Sequence, residues 1–252
     1  MTEGGRRRCA APAAAIRAEP DVTSEQVDQL LFGEDFEVAD AGEGWVRGRA
    51  VRDGYEGWVE GAALHAAGAA PTHAVAALRT YAFPEPDLKS TPPRLYSMNS
   101  LVRVVEHDGR FARAEDAGWF FEPHLRPLEA HEADPVAVAE RFVGAPYQWG
   151  GRESLGLDCS GLVQQALYAC GLPCPRDSDA QAQALGREID PAGEPLRRGD
   201  LVFARGHVGM LVAADRVLHA NSHHMAVVVE PLETVVARMA ELGTGPPLFR
   251  RL

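Results

Sequence analysis

A cysteine at the start of a predicted helix is the strongest candidate for a reactive group in this sequence. Residues 146–170 read PYQWGGRESLGLDCSGLVQQALYAC, a glycine-rich loop followed by an apolar-periodic segment. Asp158 fits an N-cap and Gly171 a C′ glycine, so the pattern predicts one helix with Cys159 in its first turn. The free N–H groups and the dipole of a helix N-terminus favour a thiolate, which makes Cys159 a candidate nucleophile.

Two downstream histidines could supply a base and a residue that orients it. His207 leads the apolar segment HVGMLV, and His219 follows 12 residues later in VLHAN. If residues 213–215 form the turn, Val212 opposes Arg216 and both histidines lie on one face of a hairpin. A two-residue turn would place them on opposite faces. On a shared face His207 can accept the thiol proton and His219 can hold the imidazole, as in a cysteine hydrolase.

The elements that must position these groups begin near residue 130. Asp134 and Pro135 fit the N-cap and the first position of a helix that ends by Gly144. Further helices are predicted over 180–185 and 232–242, and apolar strands over 201–203, 207–212, 217–221 and 226–230. Helices followed by neighbouring strands indicate an α+β domain over residues 130–252.

Short strands and glycine turns dominate the chain before this domain, and their pattern repeats. Gly57-Trp58-Val59 followed by Leu64 recurs as Gly118-Trp119-Phe120 followed by Leu125. The repeat predicts two related small β-barrel modules, over 21–68 and 71–128. The second contains a proline-rich insertion that cannot be a central strand. Residues 1–20, rich in Arg, Ala and Pro, are expected to form a mobile or loosely docked arm.

Composition limits the classes of protein to which the chain can belong. The 252 residues are enough for two or three domains, and the 46% hydrophobic and 24% charged residues are ordinary globular values. A net charge of -11 argues against a nucleic-acid partner, because phosphate binding needs a basic surface. The sequence predicts neither a signal peptide nor a membrane span. With only four cysteines, the expected location is the cytoplasm.

The motifs taken together resemble the NlpC/P60 family of cysteine peptidases. The matching segments are YQWGG at 147–151, DCSG at 158–161, GDLVF at 199–203, HVG at 207–209 and HA at 219–220. The resemblance implies a papain-like α+β core that cleaves bacterial cell-wall peptides without a cofactor. Cys159 is then the nucleophile, His207 the base and His219 the orienting residue. Tyr147 corresponds to a tyrosine that assists the oxyanion hole beside the N–H of Cys159.

The β-barrel modules ahead of this core resemble the SH3-like modules of one subgroup, the γ-D-glutamyl-L-diamino-acid endopeptidases. The resemblance implies hydrolysis between γ-D-Glu and the diamino acid of small murein peptides with a free N-terminal L-Ala, during recycling. The first module would close one end of the cleft. The residues that match the subgroup's substrate contacts are Asp158, Ser160, Asp177, Ser178, Tyr55 and Glu34. A buried ammonium needs an opposite charge and hydrogen bonds, which Glu34 and Asp158 would supply.

Other interpretations stay open at the level of sequence. A metal site of Cys159, His207, His219 and His223 or His224 is disfavoured, because no predicted helix carries a paired-ligand spacing. A protein that binds wall fragments through its modules and carries an inactive thiol domain would also fit. So would acyl transfer by the same thiolate, since an acyl-enzyme can pass its group to an amine.

Overall fold

The computed structural model describes residues 5–252, which form two compact units that divide between His131 and Glu132. The first unit is built almost entirely from antiparallel strands, and the second combines helices with strands. No helix among residues 5–252 is both long enough and apolar enough to cross a bilayer.

The first group of strands in the first unit forms one antiparallel sheet in the order β3-β2-β6-β5-β4-β1-β7. These strands are β1 (Arg6–Cys9), β2 (Ala13–Arg17), β3 (Gln26–Leu31), β4 (Asp35–Gly42), β5 (Trp45–Ala50), β6 (Glu56–Glu60) and β7 (Leu64–Ala66). Alternate residues of β5 are buried, because successive side chains of a strand point to opposite faces. Its inward side chain Val46 packs with Ile16, Phe36 and Val59 in one core.

Most of the expected N-terminal arm belongs to this sheet. β1 pairs with β4 and β7, and β2 pairs with β3 and β6. Cys9 and Ile16 are both 0% exposed, within the core. The prediction of an arm is therefore wrong for residues 6–17; residues 1–4 lie outside the described part. Alanine and arginine carry little strand preference, so this segment has almost no local pattern and is held by pairing with distant strands.

The second group of strands repeats the connectivity of the first. Its two sheets have the orders β10-β9-β14-β13-β12 and β11-β8-β15, and the first of these matches β3-β2-β6-β5-β4. The strands are β8 (His73–Val75), β9 (Arg79–Phe83), β10 (Arg94–Ser97), β11 (Leu101–Val102), β12 (Val104–Asp108), β13 (Phe111–Ala114), β14 (Gly118–Phe121) and β15 (Leu125–Pro127). The proline-rich insertion connects β9 to β10 and contributes no strand.

Equivalent backbone contacts show that the sequence repeat is also a structural repeat. The N–H of Gly61 donates to the carbonyl of Gly44 over 2.7 Å, and the N–H of Glu122 donates to the carbonyl of Arg110 over 3.0 Å. Both donors open a short 3₁₀ turn that leads into the last strand of their group. The recurring tryptophan segments therefore occupy the same place in each group.

One aromatic side chain from the first group is buried in the core of the second. Phe32 is 4% exposed and its ring meets that of Tyr96 edge-on at 5.1 Å. The N–H of Leu101 donates to the carbonyl of Phe32 over 2.8 Å. The next residue, Gly33, has φ +81°, and a Cβ there would lie 1.9 Å from the carbonyl oxygen of Leu101. The glycine thus permits the close approach that places Phe32 in the second core.

The second unit surrounds one fully buried helix. Its sheet has the order β18-β23-β19-β20-β21-β22. The elements are α1 (Pro135–Glu140), β16 (Arg152–Glu153), β17 (Gly156–Leu157), α2 (Cys159–Ala169), α3 (Ser178–Ala184), β18 (Arg187–Ile189), β19 (Leu201–Ala204), β20 (His207–Ala213), β21 (Arg216–Asn221), β22 (Ala226–Pro231), α4 (Leu232–Glu241) and β23 (Leu248–Arg251). Helix α2 packs against β20 and β21, so its N-terminus meets the strands that carry the two histidines.

The helix boundaries follow the capping residues expected from the sequence. The side chain of Asp134 caps α1 by accepting the N–H of Val136 over 2.8 Å. Helix α2 ends at Ala169, and Gly171 follows with φ +72°. Helix α4 buries Val235 and Met239 against the other face of the sheet.

Candidate active site

Asp158 fixes the start of α2, and Cys159 is the first residue of that helix. Its carboxylate accepts the N–H groups of Gly161 over 2.8 Å and Gly150 over 2.9 Å. Arg176 donates to both carboxylate oxygens, over 3.0 and 2.6 Å. Asp158 and Arg176 are 6% and 3% exposed, so the ion pair is buried. It joins the glycine-rich loop, the helix and the segment before α3, and thereby holds Cys159 in place.

The neighbouring predicted contact residues are attached to this ion pair. The hydroxyl of Ser160 donates to Asp158 over 3.2 Å and accepts from Arg176 over 2.8 Å. Asp177 is exposed at the N-cap position of α3, and Ser178 is the buried first residue of that helix. The structure thus brings Asp158 and Ser160 beside Cys159 and sets Ser178 at the start of α3. Their contacts with substrate stay a prediction.

The thiol of Cys159 is buried and neutral at rest. Burial, followed by the negative charge of Asp158, raises its pKa to about 12. The backbone N–H groups of Val208 and Ser160 act in the opposite direction by hydrogen bonding to the sulfur. The shift is opposite to the one expected for a helix N-terminus, because desolvation and an adjacent carboxylate outweigh the favourable N–H groups. Attack by this sulfur therefore needs a base that removes the proton.

The hairpin that carries the histidines differs from the predicted one but places them on the same face. Ala213 opposes Arg216, so the turn has two residues, and the predicted pairing of Val212 with Arg216 is wrong. Val212 instead lies at a β-bulge, where the register shifts by one residue. The bulge offsets the shorter turn, and His207 and His219 share one face.

The two imidazoles are hydrogen-bonded to each other. His207 Nε2 lies 2.8 Å from His219 Nδ1. A side chain at Gly209 would not fit beside this pair, since a Cβ there would lie 2.5 Å from a methyl group of Val217 and 3.3 Å from the Cβ of His219. Burial lowers the pKa of His207 to about 3, with further contributions from His219 and Arg238. Burial also lowers the pKa of His219. Both rings are therefore neutral near pH 7.

A carboxylate that sequence analysis missed completes this chain. His219 Nε2 lies 2.8 Å from Glu230 Oε2, and Arg238 donates to both oxygens of Glu230 over 3.1 and 2.7 Å. The hydrogen bonds from Arg238 hold the pKa of Glu230 well below its usual range. The amide nitrogen of Asn221 lies 3.0 Å from the same His219 nitrogen. Glu230 is the single acid in the apolar strand β22, and His219 pairs with Val228 two residues before it. Residues 228 and 230 of a strand point to the same face. An acid two residues beyond the partner of His219 is therefore the sequence signal that could have revealed Glu230.

The ionised state of Glu230 fixes which nitrogen of each histidine carries a proton. A carboxylate only accepts hydrogen bonds, so His219 Nε2 carries the proton that faces Glu230, and the nearby amide nitrogen of Asn221, itself a donor, does not hydrogen-bond to it. His219 Nδ1 then has a free lone pair and accepts the Nε2 proton of His207. Nδ1 of His207 is left unprotonated. The chain of hydrogen bonds thereby prepares His207 to act as a base through Nδ1.

Tyr147 lies close to the nucleophile. It is half-buried and forms a β-bridge with Leu157, directly before the N-cap residue of α2. Burial raises the pKa of its phenol, and the electrostatic interactions with Cys159 and Asp158 raise it further. The hydroxyl therefore stays protonated and can donate a hydrogen bond beside the sulfur.

Glu34 and Tyr55 belong to the first unit. Glu34 is 2% exposed and accepts from the N–H of Leu31 over 3.0 Å and from Arg52 over 2.8 Å. Tyr55 is half-buried directly before β6, and its N–H donates to Asp53 over 3.0 Å. Their roles toward substrate remain predictions. Across residues 5–252, no group of three or more His, Cys, Asp and Glu side chains is placed to hold a metal ion.

Comparisons with known proteins match one segment of each unit to a family model. Residues 144–240 match the model of the NlpC/P60 family, and residues 16–64 match that of the bacterial dipeptidyl-peptidase SH3 domain. The gamma-D-glutamyl-L-lysine dipeptidyl-peptidase of Bacillus subtilis is 31% identical over 138 residues, which are 51% of this chain and 44% of that relative. Dipeptidyl-peptidase 6 of Lysinibacillus sphaericus is 26% identical over 232 residues, which are 82% of this chain and 84% of that relative.

A solved structure supports the same fold. The crystal structure of an NlpC/P60 family protein from Bacillus cereus matches 98% of this chain and 99% of its own, with a TM-score of 0.82 at 20% identity. The chain thus contains a segment that matches the NlpC/P60 family, preceded by a segment that matches the bacterial dipeptidyl-peptidase SH3 domain.

Proposed function

We propose that the protein is a cysteine endopeptidase that hydrolyses the bond between γ-D-Glu and the diamino acid of peptidoglycan peptides. The hydrogen-bonded chain from His207 through His219 to Glu230 is the observation that carries the proposal, because it leaves a base on the residue before Val208, whose N–H bonds to the buried thiol. The names of the two relatives, a gamma-D-glutamyl-L-lysine dipeptidyl-peptidase and a dipeptidyl-peptidase 6, support the bond and the substrate class.

In the first half-reaction the sulfur of Cys159 attacks the carbonyl carbon of the γ-glutamyl amide. Nδ1 of His207 takes the thiol proton as the S–C bond forms, so no free thiolate has to exist beforehand. The negative oxygen that develops is stabilised by the N–H of Cys159 and the hydroxyl of Tyr147. When the C–N bond breaks, Nδ1 of His207 returns the proton to the departing amine, and a thioester remains.

In the second half-reaction water replaces the amine. His207 removes a proton from the water. The oxygen of the water attacks the thioester carbon, and the C–S bond breaks. The sulfur recovers its proton from His207, and the glutamyl product leaves as a carboxylic acid. His219 acts as the residue that orients the base, and Glu230 as a positioning residue that fixes the proton on His219.

At the other end of the substrate we propose recognition of a free N-terminal L-Ala. Glu34 would bind the ammonium through its buried carboxylate, which also accepts from the N–H of Leu31 and from Arg52. Tyr55 would form the wall of the L-Ala subsite. The proposed contacts with L-Ala-γ-D-Glu in the second unit are Asp158, Ser160, Asp177 and Ser178.

We further propose that the second group of strands is a second SH3-like module and that the protein recycles murein peptides in the cytoplasm. The repeated strand order and the repeated Gly61 and Glu122 hydrogen bonds support the module. The proposed recognition of a free amine would fit recycling, since intact cell-wall strands do not offer an N-terminal L-Ala.

Mass spectrometry of products from two peptides tests the function. L-Ala-γ-D-Glu-diaminopimelate and its N-acetylated form are incubated with the protein and with Cys159→Ala. We expect L-Ala-D-Glu and diaminopimelate from the free-amine peptide only, and no products from the variant. Equal cleavage of both peptides would remove the amine recognition assigned to Glu34. No cleavage of either peptide by folded protein would refute the endopeptidase.

A further inference from the structure

A cleft of about 470 Å³ opens on the histidine side of the candidate active site. Its walls come from the Tyr147–Trp149 loop, the turn before β20, the two catalytic histidines and helix α4. Arg205 and Arg238 line it, and no Asp or Glu is among its lining residues in the described second unit. The cleft is thus locally basic in a chain whose net charge is -11.

The chemistry of the reaction assigns this cleft to the departing amino acid. His207 must hand its proton to the departing nitrogen, so that nitrogen lies within hydrogen-bond distance of the ring. His207 lines the cleft, whereas Asp158, Ser160 and Arg176 do not. Those three residues are hydrogen-bonded to one another next to Cys159, where the glutamyl portion is proposed to bind. The cleft therefore fits the part of the substrate that leaves.

Arg205 is the cation in this cleft that is open to a ligand. It occupies the two-residue turn between β19 and β20, directly before Gly206 and His207, and is exposed. It has no hydrogen-bond or ion-pair partner among residues 5–252. Arg238, by contrast, is bound through two nitrogens to Glu230, which offsets its charge. A guanidinium favours a carboxylate, which it can bind through two parallel hydrogen bonds.

We propose that this cleft is the leaving-group subsite and that it selects diamino acids whose side chain ends in a carboxylate, such as diaminopimelate, over lysine. The inference rests on the proposed endopeptidase function. The side chain of lysine would bring an ammonium toward Arg205 with no acid in the cleft to receive it. Diaminopimelate adds a distal carboxylate that Arg205 can bind. The name of the Bacillus subtilis relative specifies lysine, so the proposal sets this chain apart from it.

Steady-state kinetics on two matched substrates test the selectivity. L-Ala-γ-D-Glu-meso-diaminopimelate and L-Ala-γ-D-Glu-L-Lys are compared with wild type, Arg205→Gln, Arg205→Glu and the control Arg216→Glu. Arg216 is likewise exposed on a hairpin of the same sheet but does not line the cleft. We expect kcat/KM of wild type to favour diaminopimelate at least tenfold. Arg205→Gln should lower that ratio about tenfold, Arg205→Glu should invert it, and the control should leave it unchanged.

Three results would overturn the subsite. In the first, wild type cleaves the lysine peptide as efficiently as the diaminopimelate peptide. In the second, Arg205→Gln keeps the wild-type ratio of the two kcat/KM values. In the third, Arg216→Glu changes that ratio as much as Arg205→Glu does. If wild type cleaves neither peptide, the endopeptidase itself fails. Titration of wild type and Arg205→Gln with free meso-diaminopimelate and free lysine, followed by NMR, still decides the subsite in that case. Tighter binding of diaminopimelate that depends on Arg205 supports it, and equal or absent binding refutes it.

Discussion

Replacing Glu230 by Gln is the sharpest test of the hydrogen-bonded histidine chain. The substitution keeps the size of the side chain but turns one oxygen into an NH₂ group. Arg238 donates to both oxygens, and its shorter bond, 2.7 Å, goes to Oε1. The remaining oxygen of the Gln should therefore stay at the Oε1 position. The NH₂ group then faces His219, where the wild type has an acceptor.

The new donor reverses which nitrogen of each histidine carries the proton. His219 Nε2 becomes the acceptor, His219 Nδ1 carries the proton, and His207 receives that proton's hydrogen bond at Nε2. His207 then holds its own proton on Nδ1 and cannot accept one from Cys159. A hydrogen bond to a charged group contributes about 1.5–3 kcal/mol and a neutral one about 0.5–1.5 kcal/mol. Losing the charged hydrogen bond and replacing it with an opposing neutral one costs about 2–4.5 kcal/mol, a fall in kcat of roughly 30- to 1,600-fold.

Kinetics and NMR together check this reasoning. We expect kcat to fall by that factor with KM nearly unchanged, because Glu230 does not line the cleft. Histidine ¹⁵N shifts should report protonated Nε2 on both rings of wild type and protonated Nδ1 on both rings of the variant. Glu233→Gln, which changes an exposed acid on α4, the helix that carries Arg238, is the matched control. An Nδ1-protonated His207 in wild type, or a fall in kcat of less than threefold in a folded Glu230→Gln, would refute the proposed role.

Three further predictions follow from burial and charge. The raised pKa of Cys159 predicts that alkylation by iodoacetamide becomes faster with pH up to at least pH 10; a rate that is constant from pH 6 upward would contradict a neutral thiol. Because the pKa of His207 is lower in the folded state, the unfolded state binds a proton first as the pH falls below 6.5, and stability is lost from there downward. Urea unfolding at pH 7 and pH 5 should show this loss, by up to about 1.4 kcal/mol per pH unit, and His207→Gln should reduce it; an identical slope would refute the assignment. Asp158→Asn leaves the buried Arg176 without its partner and should lower the free energy of unfolding by about 3–5 kcal/mol in urea titrations, whereas Arg198→Gln, in an exposed ion pair, should change it by less than about 1 kcal/mol; equal effects would contradict the burial argument.

The features that could be predicted from the sequence are those that residues close together in the chain determine. The start of α2 follows from Asp158, whose side chain accepts a backbone N–H three residues later. The end of α2 follows from Gly171, which adopts a positive φ. Both signals lie within a few residues of the feature that they specify. The same locality makes Cys159 identifiable as the first helical residue.

The missed features depend on pairing between distant segments. β1 and β2 are held by strands as far away as residue 66, and their own residues carry little pattern. The bulge at Val212 is set by how the hairpin fits its neighbours, so the shared histidine face was predicted correctly with the wrong turn. Glu230 becomes visible only once the register of β21 against β22 is known. Local patterns do not specify any of these contacts.

The position of Phe32 constrains how this chain could be rearranged by recombination. A genetic breakpoint between residues 66 and 73 falls in the linker between the two strand groups and interrupts no strand. It would nevertheless remove the ring that packs against Tyr96 and leave a hole in the second core. Vacating a buried Phe site costs about 3–5 kcal/mol, enough to threaten a small module that is transferred alone. The two groups should therefore be inherited, and cloned, as one piece.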